Sequence, residues 1–121
     1  MSDFLETMAA SSAARAAAAP SFVDADFDKP VVPLKLSAFD VIAELKRRSP
    51  AEGELQQAGG SDPVSRAQAY VKGGAAAISV LTEPSRFDGE LAHLEESVAA
   101  VPDTPVMRKD FLVDPVQVLE A

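Results

Sequence analysis

The chain has 121 residues, of which 47% are hydrophobic and 25% charged, a balance that fits one soluble domain with a modest core and excludes a disordered segment. Nineteen acidic against eleven basic residues give a net charge of −8, and only Lys46-Arg47-Arg48 and Arg108-Lys109 are locally basic, which disfavours a nucleic-acid binder. The absence of cysteine excludes a disulfide scaffold and a thiolate metal site, and no apolar run approaches the roughly 20 residues of a membrane span.

Residues 3–19 carry Phe4, Leu5 and Met8 among many alanines, the best helix formers, and Pro20 ends this predicted helix. A signal peptide would need positive charge where Asp3 and Glu6 stand, and Arg15 interrupts the alanines, so the chain is read as cytoplasmic. Pro20, Pro30 and Pro33 make residues 20–38 an irregular or extended arm. Strand 39–46 follows, then a loop from Ser49 to Ser61 in which Gly53, Gly59 and Gly60 suggest mobility. Asp62-Pro63 is a strong helix start, and Val64, Ala67 and Val71 keep helical spacing up to the stop at Gly73-Gly74.

The run "AAAISVLT" (75–82) is a second buried strand, and Pro84 to Gly89 is read as a loop. Leu91, Leu94, Val98 and Val101 mark a second helix, Pro102-Asp103-Thr104 a turn, and "PVMRKDF" a third strand. Asp114-Pro115 repeats the Asp-Pro helix start before Val116, Val118 and Leu119. The order β-α-β-α-β-α predicts an α/β fold with a parallel sheet and right-handed crossovers. The last helix carries no C-terminal signal, so the chain is expected to be the front part of something longer.

Alternation along the first strand puts Ile42, Glu44 and Lys46 on one face and Val41, Ala43 and Leu45, all apolar, on the other. Glu44 and Lys46 thus stand near the carboxyl end of a parallel strand, where α/β sheets and barrels carry their sites. A charged strand end that simply reaches solvent is the plainer reading of that strand alone. Strand three brings Lys109 and Asp110 to its own carboxyl end, with Met107 on the face of Lys109, so Glu44, Lys46 and Lys109 converge on one rim. A lysine near another cation and away from water can donate a proton near neutrality, although a neighbouring carboxylate opposes that shift.

Three stretches, "VIAELKRRSP", "DPVSRAQAYVKGGAAAISVLTEPSRFDGEL" and "PVMRKDFLVDPVQVLEA", resemble the first three βα units of the indole-3-glycerol phosphate synthase family, in order and spacing from about residue 39 to 121. The resemblance implies a (β/α)8 TIM-barrel fold. This chain would supply an N-terminal partial barrel with three parallel strands, residues 39–121, preceded by an N-terminal helix and extended arm, residues 1–38, where the likeness is looser. The activity implied is ring closure, decarboxylation and dehydration of 1-(2-carboxyphenylamino)-1-deoxyribulose 5-phosphate, a lyase step of tryptophan biosynthesis with no metal or organic cofactor. Lys109 matches the general acid. Lys46 matches the group that holds substrate anions and serves the dehydration, and Glu44 the carboxylate that orients the lysines and a substrate hydroxyl. Ser49, Leu81, Phe87 and Phe111 match substrate-binding positions, the two phenylalanines as walls around the aromatic ring.

Each assignment has a plainer alternative. Phe87 and Phe111 could be ordinary core residues. Arg47 and Arg48 read as solvated rim charges, Arg108 as facing the outer layer, and Asp110 as a structural hydrogen-bond acceptor. His93, the one histidine, reads as a surface residue, and Gly73-Gly74 is a helix stop, with no phosphate-loop or dinucleotide fingerprint in the chain. A complete barrel needs about 250 residues, so the fourth-strand glutamate and the phosphate site of the family lie outside this sequence. The chain by itself is expected to be inactive. The alternative function is a non-catalytic barrel fragment or assembly module that requires a complementary segment. Expected partners are a small phosphorylated substrate and a complementary C-terminal barrel segment, or a second copy meeting an exposed strand edge; nucleic acid and membrane are not expected.

Overall fold

The structure, a computed structural model, describes residues 2–54 and 62–121. Contacts group it into two compact units, Val31–Lys109 and Met1–Pro30 with Asp110–Ala121. Gly59, Gly60 and Ser61 of the predicted mobile loop lie outside the described residues.

The larger unit is built on strands β1 (Ile42–Leu45), β4 (Ala77–Leu81) and β5 (Val106–Lys109). They form a parallel sheet in the order β1-β4-β5, with Glu44 opposite Ser79 and Leu81 opposite Lys109. Helices α2 (Pro63–Lys72) and α4 (Leu91–Ala100) make the two crossovers. Both pack on the same face, where Leu45, Ile78 and Val80 meet Ala67, Leu94 and Val101 in one buried cluster. Ala67 is fully buried, which lets the α2 backbone come close to the sheet.

Local chemistry explains the boundaries. Asp62 caps α2 by accepting from the Ser65 N–H at 3.0 Å, with Pro63 at the first helical position where its missing N–H costs nothing. These bonds from Ser65, backbone first and side chain second, hold the Asp62 carboxyl below its usual range. Gly74 follows in the left-handed region (φ 99°), which a glycine adopts without a side-chain penalty. The first strand is shorter than the predicted 39–46, because Asp40 turns back to accept from the Ser37 N–H at 2.6 Å and holds Ser37–Asp40 in a bend.

Other features also differ from the sequence-based expectations. The loop after β1 contains a small antiparallel ladder, β2 (Arg48–Ser49) with β3 (Gly53–Glu54), closed by a turn at Pro50–Glu52 and by Gly53 at φ 72°. Residues expected as loop form the single-turn helix α3 (Pro84–Phe87), capped by the fully buried Glu83. In α4 the buried stripe is Leu94, Ser97 and Val101, whereas Leu91 and Val98 are over a third exposed. Ser97 can sit on the inner face because its hydroxyl donates to the His93 carbonyl at 2.7 Å.

The smaller unit holds helix α1 (Ser2–Ala17) and the short helix α5 (Val116–Glu120). The α1 helix stops before the predicted residue 19, as the Ala18 and Ala19 N–H groups close tight turns onto Arg15 and Ala16 ahead of Pro20. Asp114 starts α5, its carboxylate accepting from the Val116 N–H at 2.9 Å. Arg15 makes two parallel bonds of 2.8 Å to the carboxylate of Asp110, which also accepts from the Phe111 N–H. Asp110 is therefore a structural acceptor. The fully buried Gln117 donates to the Ser12 hydroxyl at 2.7 Å and accepts from the Val113 and Asp114 N–H groups. The Ser12 hydroxyl donates in turn to the Phe111 carbonyl.

Candidate active site

The pleat of β1 separates two jobs. Leu45 is buried among the helices, while Glu44 on the opposite face is about a quarter exposed. The parallel register carries the same face through Ser79 and Leu81 of β4 to Met107 and Lys109 of β5. Lys109 Nζ lies 2.7 Å from Glu44 Oε1, and Lys46 Nζ lies 3.6 Å from Glu44 Oε2. Ser79 donates to Glu44 Oε1 at 3.4 Å, the long limit of a hydrogen bond. Lys46 also reaches Glu52 at 4.0 Å. One carboxylate thus bridges two ammonium groups at the carboxyl ends of β1 and β5, across the intervening β4.

Three of the residues singled out in the sequence, Glu44, Lys46 and Lys109, are brought together. Leu81 is buried beside them on β4, and it lines, with Lys46, Arg47, Phe87 and His93, a cavity of about 20 Å³, room for one water. Ser49 is buried in the β2 strand, its hydroxyl accepting from the Ala51 N–H at 3.2 Å. Phe111 belongs to the smaller unit, where its ring meets that of Phe4 edge to face at 6.1 Å. Among the described residues no three His, Cys, Asp or Glu side chains converge as a metal centre would require. Within the same residues no helix is long and apolar enough to cross a membrane.

Two expectations about the basic residues are corrected. The His93 side chain is only 11% exposed, not a surface group. It lies on the flank of α4 next to the buried Leu94, within 3.3 Å of Glu90. Burial, with help from the Arg47 charge, pushes its pKa below the usual value against the pull of Glu90 and Glu96. Arg48 is not merely solvated: it donates to the Ser85 carbonyl at 2.8 Å and pairs with Asp88 at 3.0 Å, tying the loop after β1 to α3. Arg108 does face the helix layer, donating to the Thr82 hydroxyl at 3.0 Å.

The sequence reading missed Ser79 and Glu83. Strand alternation was a usable signal for Ser79, the polar residue of β4 that shares its face with Leu81. For Glu83 the signal was an acceptor immediately before proline, the pattern that starts a helix.

Strand order that follows chain order, with both crossover helices on one face, defines a singly wound α/β sheet of the barrel type, with its charged residues at the carboxyl-end rim. Over residues 8–121 the chain matches the indole-3-glycerol phosphate synthase family, and it belongs to that family, whose fold is the (β/α)8 TIM barrel. It is 50% identical over 119 residues to an indole-3-glycerol phosphate synthase of Nocardioides sp., covering 98% of this chain and 44% of the relative. The corresponding protein of Methanopyrus kandleri is 54% identical over 81 residues, covering 67% of this chain and 32% of the relative. That of Mycobacterium leprae is 50% identical over 108 residues, covering 89% and 37%. The chain therefore spans less than half the length of these curated relatives and corresponds to their N-terminal portion.

Proposed function

We propose that this chain forms the amino-terminal part of a cytoplasmic indole-3-glycerol phosphate synthase and supplies the first half of its active site. The observation that carries the reading is the Lys109–Glu44–Lys46 bridge at the strand ends of a chain from this family. In the reaction the aromatic carbon bearing the carboxylate attacks the ketone carbon of the substrate's sugar chain. Lys109 gives its proton to the ketone oxygen as that bond forms. Carbon dioxide then leaves, its bonding electrons restoring the ring, and the new hydroxyl departs as water while the neighbouring CH2 carbon gives up a proton to form the double bond. Lys46 holds the substrate's anionic groups and assists the dehydration, and Glu44 keeps both ammonium groups in place. Ser49, Leu81, Phe87 and Phe111 line the substrate. No metal ion or organic cofactor takes part.

The substrate is a phosphorylated small molecule, and the partner is the complementary barrel segment, which would pair with the outer strands β1 and β5. The test combines this chain with the part of the Nocardioides relative that lies beyond the matched residues and follows indole fluorescence. Activity is expected from the pair and from neither piece alone, and Lys109→Ala should abolish it. Turnover by this chain alone, or an active Lys109→Ala pair, refutes the proposal.

A second reading, a non-catalytic fragment that self-associates through its outer strands, rests on β1 and β5, each paired on one side only among the described residues. It requires an inactive pair and a homodimer of this chain in sedimentation.

A further inference from the structure

Glu83 is a fully buried carboxylate that the reaction above does not use. It stands between strand β4 and the turn that carries Phe87. Its Oε1 accepts from the Ser85 N–H at 2.8 Å and from the Ser85 hydroxyl at 2.5 Å, and its Oε2 accepts from the Arg86 N–H at 2.8 Å. Burial raises its pKa, but the combined bonds from the Ser85 hydroxyl and the Arg86, Ser85 and Phe87 backbones outweigh that and hold it below the usual range.

The far end of the turn is held as firmly. Gly89 donates its N–H to the Glu83 carbonyl at 2.9 Å. A Cβ on Gly89 would collide with the Leu81 carbonyl oxygen and stand 2.7 Å from the Thr82 carbonyl carbon, so the chain closes here directly against β4. Asp88, between them, adopts the left-handed conformation (φ 53°) that ends the helical turn. Pro84 fixes the first helical residue. Every backbone position from 83 to 89 is thus set by a named local constraint, and the carboxylate is the one at its centre.

We infer that Glu83 is a positioning residue that fixes the Phe87 ring as a preset wall for the aromatic part of the substrate. The inference rests on the reading of Phe87 under the proposed function. A carboxylate suits the task because it accepts at both oxygens. Glutamine offers one acceptor and turns an N–H group toward a donor, whereas aspartate is itself a strong helix cap. A wall that touches the ring equally in the bound and the reacting substrate contributes to binding and not to the chemical step.

Two measurements test this. In the active pair with the Nocardioides segment, Glu83→Gln should raise KM by roughly threefold or more with kcat changed by less than about twofold, and Glu83→Asp should restore KM. A purely structural role would instead lower the amount of active protein, hence apparent kcat, with KM unchanged. In this chain alone, labelled with 3-fluorophenylalanine, the six phenylalanines give six fluorine resonances. Phe87, assigned by its loss in Phe87→Leu, should shift or broaden in Glu83→Gln while the other five hold, and recover in Glu83→Asp. An unmoved Phe87 signal, a simultaneous collapse of all six, or an unchanged KM in an active pair overturns the inference. An inactive parent pair refutes the proposed function while the fluorine result still decides whether Glu83 sets the ring.

Discussion

Replacing Gln117 by leucine should release helix α1 while leaving the sheet intact. Gln117 and Ser12 are both fully buried, and they lie 105 residues apart in sequence. Leucine keeps most of the volume but removes the donor to the Ser12 hydroxyl and the acceptor for the Val113 and Asp114 N–H groups. Val113 and Asp114 are exposed residues, so water replaces part of what they lose. The buried Ser12 hydroxyl keeps its bond to the Phe111 carbonyl but loses the donor to its oxygen, and no water replaces it. Taking about 0.5–1 kcal/mol for each of the two backbone bonds and about 1–2 kcal/mol for the hydroxyl, which keeps one partner, gives a cost of about 2–4 kcal/mol. The readout is amide hydrogen exchange in α1, where that cost corresponds to roughly 30- to 900-fold faster exchange if α1 opens locally. Amides of β4 should keep their protection. Unchanged exchange in α1, or equal acceleration in α1 and β4, would refute the assignment of Gln117 as the lock of this unit.

Gly89→Ala should lower the stability of the larger unit by about 1–3 kcal/mol, because the new methyl group meets backbone atoms that cannot move aside independently. Urea unfolding should show a lower midpoint at unchanged slope, and a midpoint equal to the parent's would contradict the close approach. Acid should act through Glu83. Its pKa in the fold lies below the ordinary 4.5, so its contribution is complete above that pH and is lost as pH falls through the lower folded value. The difference in urea midpoint between the parent and Glu83→Gln should therefore shrink on acidification from pH 6 to pH 3 on the order of this pKa window. His93 titrates in the fold below its usual 6.5, so the charged form is disfavoured and stability declines as pH drops beneath that value; a proton NMR titration with a midpoint at or above 6.5 would contradict its burial.

The elements that the sequence displayed well are those specified by neighbours in the chain. Asp62-Pro63 announces α2 because capping is a contact between residues three apart. The run from Ala77 to Leu81 reads as a central strand because all five residues are buried. Alternation in β1 then places Glu44 and Leu45 on opposite faces, and the parallel register brings Glu44 to Lys109 across the intervening β4. The illegible parts depend on distant partners or on very short elements. Arg15 and Asp110 pair across 95 residues, and no local periodicity couples them. The ladder between Arg48–Ser49 and Gly53–Glu54 is two residues long, too short for any alternation to emerge. His93 was misjudged because the inner face of α4 runs through a serine, and a hydroxyl that bonds its own helix backbone does not look apolar in sequence.

The charged rim has an energetic signature that separates it from these structural contacts. The Lys109 side chain is 53% exposed and Glu44 and Lys46 are between a quarter and a third exposed, so water and salt screen the bridge. Exposed ion pairs contribute about 0–1 kcal/mol, against about 2–5 kcal/mol for truncating a buried aliphatic residue such as Leu45. Side chains arranged for stability alone would not place one carboxylate between two ammonium groups for so small a return. Glu44→Gln and Lys109→Met should therefore leave the urea midpoint of this chain within about 1 kcal/mol of the parent. Leu45→Ala should lower it by several times more. In the pair with the complementary barrel segment the order reverses, with Lys109→Met inactive and Leu45→Ala active wherever it folds. A loss of more than about 2 kcal/mol on removing Lys109 would mean that the bridge is a structural tie, as buried pairs are when one partner is removed. In that case the rim would no longer be evidence for a site.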